Sequence, residues 1–254
     1  MTPRLTLLMA WFAAAMVGAG LGGCASGPAP HASSPQVVSS SEPHNSSATP
    51  DWEVLNFPGK ARTQFVQVRK DGRDAVMALA RSSVSMKRLR LDVPPESLGA
   101  VRCSWMVPQL IEQAELARRD LDDSPARIVL VFDGDRSRFT PAETMMSELA
   151  RTLTGEEMPY ATLMYVWCNR RAPGEVIMNP RTSRIRKIVV ESGATHLGRW
   201  LDYERDVRAD YIRAFGEPPG ALRGVALMTD SDNTRSVTRA WYGAVRLSEQ
   251  EDRR

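Results

Sequence analysis

Cysteine and histidine are scarce in this chain of 254 residues, three of each. No Cys-x-x-Cys pair or clustered histidine is present, which excludes the common structural zinc frames. A Gly-rich phosphate loop and a Gly-x-Ser-x-Gly nucleophile turn are also missing, so nucleotide chemistry and elbow-type serine hydrolysis have no sequence support. Charge of one sign is lacking too. The net charge is +3, and the basic residues are scattered among acids, so no stripe tracks a phosphate backbone and no nucleic-acid partner is expected. Long apolar runs are confined to the N-terminus. The stretch from Leu5 to Gly20 is about 16 residues, short of the roughly 20 that a spanning helix needs.

The N-terminus has a recognisable order: Arg4, the apolar stretch, small residues from Gly18, then Leu21-Gly22-Gly23-Cys24. This end resembles a bacterial lipoprotein signal peptide with its lipobox. The resemblance implies cleavage after residue 23, lipid on Cys24, and a membrane partner through that lipid. Ala25, rather than Asp, follows the cysteine. In enteric-type bacteria that implies the periplasmic face of the outer membrane, with the periplasmic face of the inner membrane as the alternative. Residues 24–50 are dominated by Ser and Pro and cannot bury enough apolar surface to offset chain entropy. They read as a disordered tether with a reach of roughly 25–30 Å. His31 and His44 lie in it and read as solvated residues.

A globular pattern begins at Asp51 and fits one domain, residues 51–248, followed by a charged, frayed tail at 249–254. Short strands with turn signals between them are expected at Trp52–Phe57, Gln64–Arg69, Asp74–Arg81, Ser85–Leu91 and Val101–Val107. Further strands are expected at Arg127–Phe132, Tyr160–Trp167, Arg184–Glu191, Leu222–Met228 and Arg239–Leu247. Two helices interrupt them. One opens on Thr140-Pro141-Ala142-Glu143, a capping-box signature, and stops near Gly155. Its apolar stripe, Ala142, Met145, Met146, Leu149 and Leu153, reads as core contact rather than a Met-rich partner site. The other spans about Arg205 to Phe215. The charged segment from Glu112 to Asp123 fits either a loop or a short surface helix. The whole reads as a mainly β fold, an antiparallel β-sandwich of jelly-roll type with two inserted helices.

Several stretches in order resemble the bacterial family known as domain of unknown function 3047: Val54-Leu55-Asn56-Phe57-Pro58-Gly59-Lys60, Val131-Phe132-Asp133-Gly134-Asp135, Pro159 to Trp167, Ile188-Val189-Val190-Glu191-Ser192-Gly193, Ala214-Phe215-Gly216-Glu217, and Met228 to Thr234. The resemblance covers about Trp52 to Leu247 and implies an envelope protein without an assigned activity. Two positions depart from the family pattern. Cys103 stands where Trp is usual, and Cys168 stands where Asp follows Tyr165-Val166-Trp167. The strand layout is also similar to galactose-binding-like jelly rolls, an analogy of fold alone.

Three sets of side chains are candidates for chemistry. Asp133 and Asp135 end one strand, while Asp230, Asp232 and Asn233 end another. If these ends meet, their oxygens offer hard ligands for Ca²⁺ or an acid/base pair for glycoside hydrolysis; otherwise they are turn caps. Tyr165, Trp167 and Asn169 share a strand face by alternation, suited either to stacking a sugar or to core packing. Cys103 and Cys168 form a possible disulfide, or remain two buried thiols. His196, the histidine of the folded part, has no partner spacing around it. The expected function is a non-catalytic binding or structural module of the envelope, for a glycan or an envelope protein, with no cofactor. The alternative is a glycan hydrolase using the strand-end carboxylates.

Overall fold

The computed structural model describes residues 51–249. The leader, Cys24, the tether and the tail beyond residue 249 lie outside the described residues. Two sheets form a jelly-roll β-sandwich. The larger sheet holds β1 (Glu53–Asn56), β4 (Val84–Val93), β6 (Ser124–Phe132), β7 (Ala161–Cys168), β8 (Val176–Met178), β9 (Ile185–Ser192) and β11 (Leu222–Asp230), in the order β1-β4-β11-β6-β7-β9-β8. The smaller sheet holds β2 (Gln64–Lys70), β3 (Arg73–Arg81), β5 (Leu98–Met106), β10 (Leu201–Asp206) and β12 (Val237–Tyr242), in the order β10-β5-β12-β3-β2, with β13 (Arg246–Glu249) also paired to β5. The pairing is antiparallel except between β7 and β9, which run parallel. The crossover between them carries β8, which returns antiparallel along the far side of β9.

The expected strands are present, with shifted ends. β5 begins at Leu98, β6 begins at Ser124, and the segment Arg239–Leu247 divides into β12 and β13. The second helix is shorter than expected. Residues 201–206 form β10, and α2 (Val207–Phe215) starts at its N-cap Asp206, whose carboxylate accepts from the Ala209 N–H. The first helix, α1 (Pro141–Thr154), is closed by the full capping box of Thr140 and Glu143 and by Gly155 in the left-handed region at φ 78°. Residues 107–123 form no helix; they are a loop with tight turns.

Both faces of the larger sheet are covered in part, which explains why its central strands are apolar at nearly every position. Between the sheets lie Trp105, Ile128, Leu130, Leu163, Tyr165, Trp167, Leu227 and Tyr242. On the opposite face lie Val129, Met164, Val166, Cys168, Val189 and Ala226, with Leu116 folded onto them from the 107–123 loop. Among the described residues, both clusters draw on side chains between Trp52 and Leu247.

Candidate functional site

The outer face of the larger sheet is only half covered. At one end the 107–123 loop lies across it; at the other a cleft of about 480 Å³ stays open. Strand register sets the floor. One cross-strand row runs Arg90, Gly224, Val131, Thr162, Ile185, and the next runs Arg88, Ala226, Val129, Met164, Lys187. Period-two alternation turns these residues to one face. Gly224 sits at a register shift in β11, and a Cβ there would lie 3.0 Å from the Leu89 carbonyl oxygen. Its lack of a side chain keeps that part of the floor flat.

A charged wall closes the cleft on one side. The Arg88 guanidinium grips Glu156 with two bonds of 2.6 Å and donates to Glu53 at 2.7 Å. Arg90 joins the same two carboxylates. These bonds to Arg88 and Arg90 hold Glu156 down at about 2 against a smaller effect of burial. Arg136 pairs with Glu157 at 3.2 Å, and Arg223 joins Asp133 at 3.1 Å. Leu55 and Phe57 border the opening from the β1 side, Ala150 and Thr154 from α1. An apolar floor beside paired guanidinium and carboxylate groups is a surface for an amphipathic ligand.

The four expected acids do not meet. β6 and β11 are antiparallel, with Leu222 opposite Phe132 and Asp230 opposite Ser124. Asp133 and Asp135 therefore stand at one end of the sandwich and Asp230 and Asp232 at the other, a strand length apart, on the order of 25–30 Å. A shared calcium site and a shared acid/base pair are both ruled out by that separation. Asp133 accepts from the Gly134 N–H at 2.9 Å, and Asp135 accepts from the Ser137 N–H at 3.0 Å, as turn caps do.

The Asp230 end holds a buried charge cluster drawn from residues that sequence reasoning missed. Arg127 and Lys187, on the outer face of the sheet, are almost wholly buried. Arg127 donates to Asp230 at 3.0 Å and to Asp122 at 3.1 Å; Lys187 donates to Asp122 at 2.6 Å and to the Leu116 carbonyl at 2.7 Å. Burial lowers Lys187 to about 8, and Arg127 beside it adds to that against the pull of Asp122. Burial raises Asp230 to about 7; Arg127 opposes the rise, while Asp123 and Asp122 add to it. Asp123 binds the turn after β11, accepting from Asn233 Nδ2 at 2.9 Å and the Thr234 N–H at 2.7 Å. Asn233 is thus a turn clamp. Carboxylate oxygens of Asp123, Asp230 and Asp232 come within 4.8 Å of one another. They are engaged by Asn233, Thr234, Arg127, Ser124 and Lys60, so the six to eight oxygen ligands that Ca²⁺ takes are not assembled from free donors.

Tyr165 and Trp167 do share a face, but it is the face between the sheets, where they are 0% and 1% exposed. No ring face is left for a sugar. The Tyr165 hydroxyl donates to Asp210 at 3.0 Å and the Trp167 indole to the Gly193 carbonyl at 3.1 Å. Asn169 lies just past β7 and pins the 107–123 loop, donating to the Ile111 and Ala114 carbonyls at 2.7 and 3.1 Å. Cys103 and Cys168 are free, buried thiols. Cys103 packs between the sheets and Cys168 on the outer face of the larger sheet, so the sheet itself separates them. His196 is half-exposed, its Nδ1 3.2 Å from Glu191.

Solved structures are similar to this chain at low identity. An endoglucanase, cel12A from Rhodothermus marinus, is 12% identical, with 78% of this chain and 92% of that chain covered and a TM-score of 0.43. A metagenome-derived glycoside hydrolase family 12 endoglucanase is 12% identical, over 78% and 96%, with a TM-score of 0.41. The winged bean acidic lectin in complex with methyl-α-D-galactose is 11% identical, over 79% and 100%, with a TM-score of 0.33. No curated protein matches the sequence. The family model described as protein of unknown function (DUF3047) matches residues 50–246, and the chain belongs to that family.

Proposed function

We propose that this chain is a non-catalytic binding module of the bacterial cell envelope, lipid-anchored through Cys24 on the periplasmic side of the outer membrane, and that it takes a glycan in the cleft of the larger sheet. The observation that carries the reading is the cleft's two-sided chemistry. Val129, Val131, Met164 and Ala226 offer an apolar floor to the C–H face of a sugar ring. Arg90, Arg136 and Glu157 stand at the wall as donors and acceptors for ring hydroxyls.

Two of the carboxylates favour binding over hydrolysis. The acids lining the cleft are Asp133, Glu156 and Glu157. Glu156 is held ionised at about 2, and Asp133 is held low by the Gly134 N–H and by Arg223, so neither keeps a proton to donate near neutrality. Asp230 is the carboxyl raised to about 7, and it is sealed at 3% exposure at the opposite end.

The test is a thermal-shift series on the purified domain with envelope oligosaccharides, where a specific ligand raises the melting temperature with concentration. Absence of any shift across the series contradicts the glycan reading. The anchor is tested separately, by labelled fatty acid incorporated into the full chain and lost in Cys24→Ala; label that persists in the variant contradicts it.

A further inference from the structure

Helix α1 is mounted with its polar side inward. Glu143 and Ser147 are its buried residues, while Met145, Leu149 and Leu153 are 68%, 56% and 42% exposed. The apolar stripe expected to pack on the core faces solvent instead. The reason lies in the bonds on the inner side. Glu143 accepts from Thr182 at 3.1 Å and Ser183 at 2.8 Å as well as from Thr140, and Ser147 lies 3.3 Å from the Arg136 guanidinium. These contacts fix the helix to the body by its hydrophilic face. The stripe, at spacings of four residues, lines up along one side of the helix and points away from the sandwich. Nothing in the described fold covers it.

We propose that this stripe lies against a lipid bilayer surface, so that α1 is a second, non-covalent membrane contact beside the anchor. The proposal rests on the anchor reading for its occupant. On that reading, the 26 residues between Cys24 and Asp51 tether the domain beside the bilayer at high effective concentration. A weak contact then suffices. The geometry suits a flat surface, because the apolar side of α1 points away from the body and the helix is held rigidly by its polar side. The charges favour lipid over a second copy of the chain. Glu148 flanks the stripe, whereas Arg151 lies on the far side of the helix beside Glu157. No opposite-charge pair borders the stripe to fix the register of two copies. With Glu143, Glu148 and Arg151 as its charged residues, α1 is not basic. Its contact is therefore apolar and insensitive to salt, unlike that of a polybasic segment. Ala150 and Thr154 of the same helix line the cleft, so the contact sets the cleft mouth close to the membrane.

The experiment uses residues 47–254, which hold both described core clusters and lack Cys24, after cooperative melting has shown that they fold on their own. Flotation with vesicles of phosphatidylethanolamine and phosphatidylglycerol at millimolar lipid should carry the wild-type unit upward. The triple variant M145Q/L149Q/L153Q should lose about tenfold in bound fraction, since the apolar area it buries is removed. Its melting temperature should be unchanged, and about 0.5 M salt should leave wild-type flotation intact. A wild-type unit that stays with the soluble fraction, or a triple variant that floats equally well, overturns the proposal. So does a dimer in analytical ultracentrifugation that the triple substitution dissociates while vesicles bind neither form; that result assigns the stripe to a second copy. Because the unit has no Cys24, failure of the anchor reading shows in the fatty-acid labelling alone and leaves the flotation result standing.

Discussion

Arg127 and Asp230 meet on neighbouring strands of the larger sheet, Nε to Oδ1 at 3.0 Å, with side chains only 2% and 4% exposed. The proton equilibrium of that buried pair sets a pH dependence of stability. Asp230 has a folded value of about 7 against 3.8 for the free group. Its contribution to stability is full below about 4 and is lost as pH rises through about 7. Glu143 and Glu156, both lowered to about 2, act on the acid side; their contribution is present above 4.5 and lost as pH falls through about 2. Lys187 changes between 8 and 10.5, outside this window. The melting temperature should peak near pH 4.5 and decline until about pH 7. Asp230→Asn should flatten the decline. A wild-type melting temperature that climbs steadily from pH 5 to 8 contradicts the assignment.

Asp122 is the shared partner of Arg127 and Lys187, so its removal strands Lys187 and leaves Arg127 with Asp230 as its carboxylate partner. Asp122→Ala should cost about 3–5 kcal/mol, the range for breaking a buried pair. For a domain of this size that is a fall of roughly 10 °C in melting temperature. The double variant Asp122→Ala/Lys187→Met should recover part of the loss, because one unpaired charge is then gone. Equal losses in single and double variants would show that Lys187 draws nothing from Asp122.

Much of the sandwich was legible because its strands obey simple rules. Ile128–Phe132 and Tyr160–Trp167 read as apolar runs because both faces of the sheet are covered, and α1 was placed by Thr140, Pro141, Glu143 and Gly155. The candidate site was less legible. Whether Asp133 and Asp230 meet depends on β6 and β11 pairing antiparallel, two strands about 90 residues apart in sequence, and alternation within a strand carries no such information. The run from Glu112 to Asp123 looked solvated because charges usually are, yet Asp122 and Asp123 turn inward to meet Arg127, Lys187, Asn233 and Thr234. Period-two alternation put Tyr165 and Trp167 on one face without saying which face. Amphipathicity likewise shows only that α1 has two sides, and here Glu143 and Ser147, rather than the apolar side, find partners in the body.

The two cysteines give a chemical check on the sandwich. Cys103 and Cys168 are free, Cys103 in the space between the sheets and Cys168 beyond the larger sheet, and burial pushes Cys103 up to about 12. Thiol titration of the 47–254 unit should count two thiols after denaturation and almost none before it, and reductant should leave the melting temperature unchanged. A reductant-sensitive melting temperature would mean that the two sulfurs pair.

The mounting of α1 depends on Glu143, which closes the capping box and binds Thr182 and Ser183. Glu143→Ala should cost about 1–2 kcal/mol, the scale of a lost helix cap. Hydrogen exchange should speed up within residues 141–154 while the strands keep their protection. Uniform loosening of the whole domain would show that α1 is part of the global folding unit.

The most direct measurement is a calorimetric titration of the 47–254 unit with whichever envelope oligosaccharide most raises its melting temperature, alongside Arg90→Ala and Val131→Phe. Arg90 is exposed at the wall and Val131 lies in the floor, so each substitution alters the cleft at one side. Saturable binding in the wild type, weakened about tenfold or more by each substitution with both variants still folded, is the predicted result. Binding that survives both substitutions, or no binding by any oligosaccharide, would contradict the claim that the cleft is a glycan site.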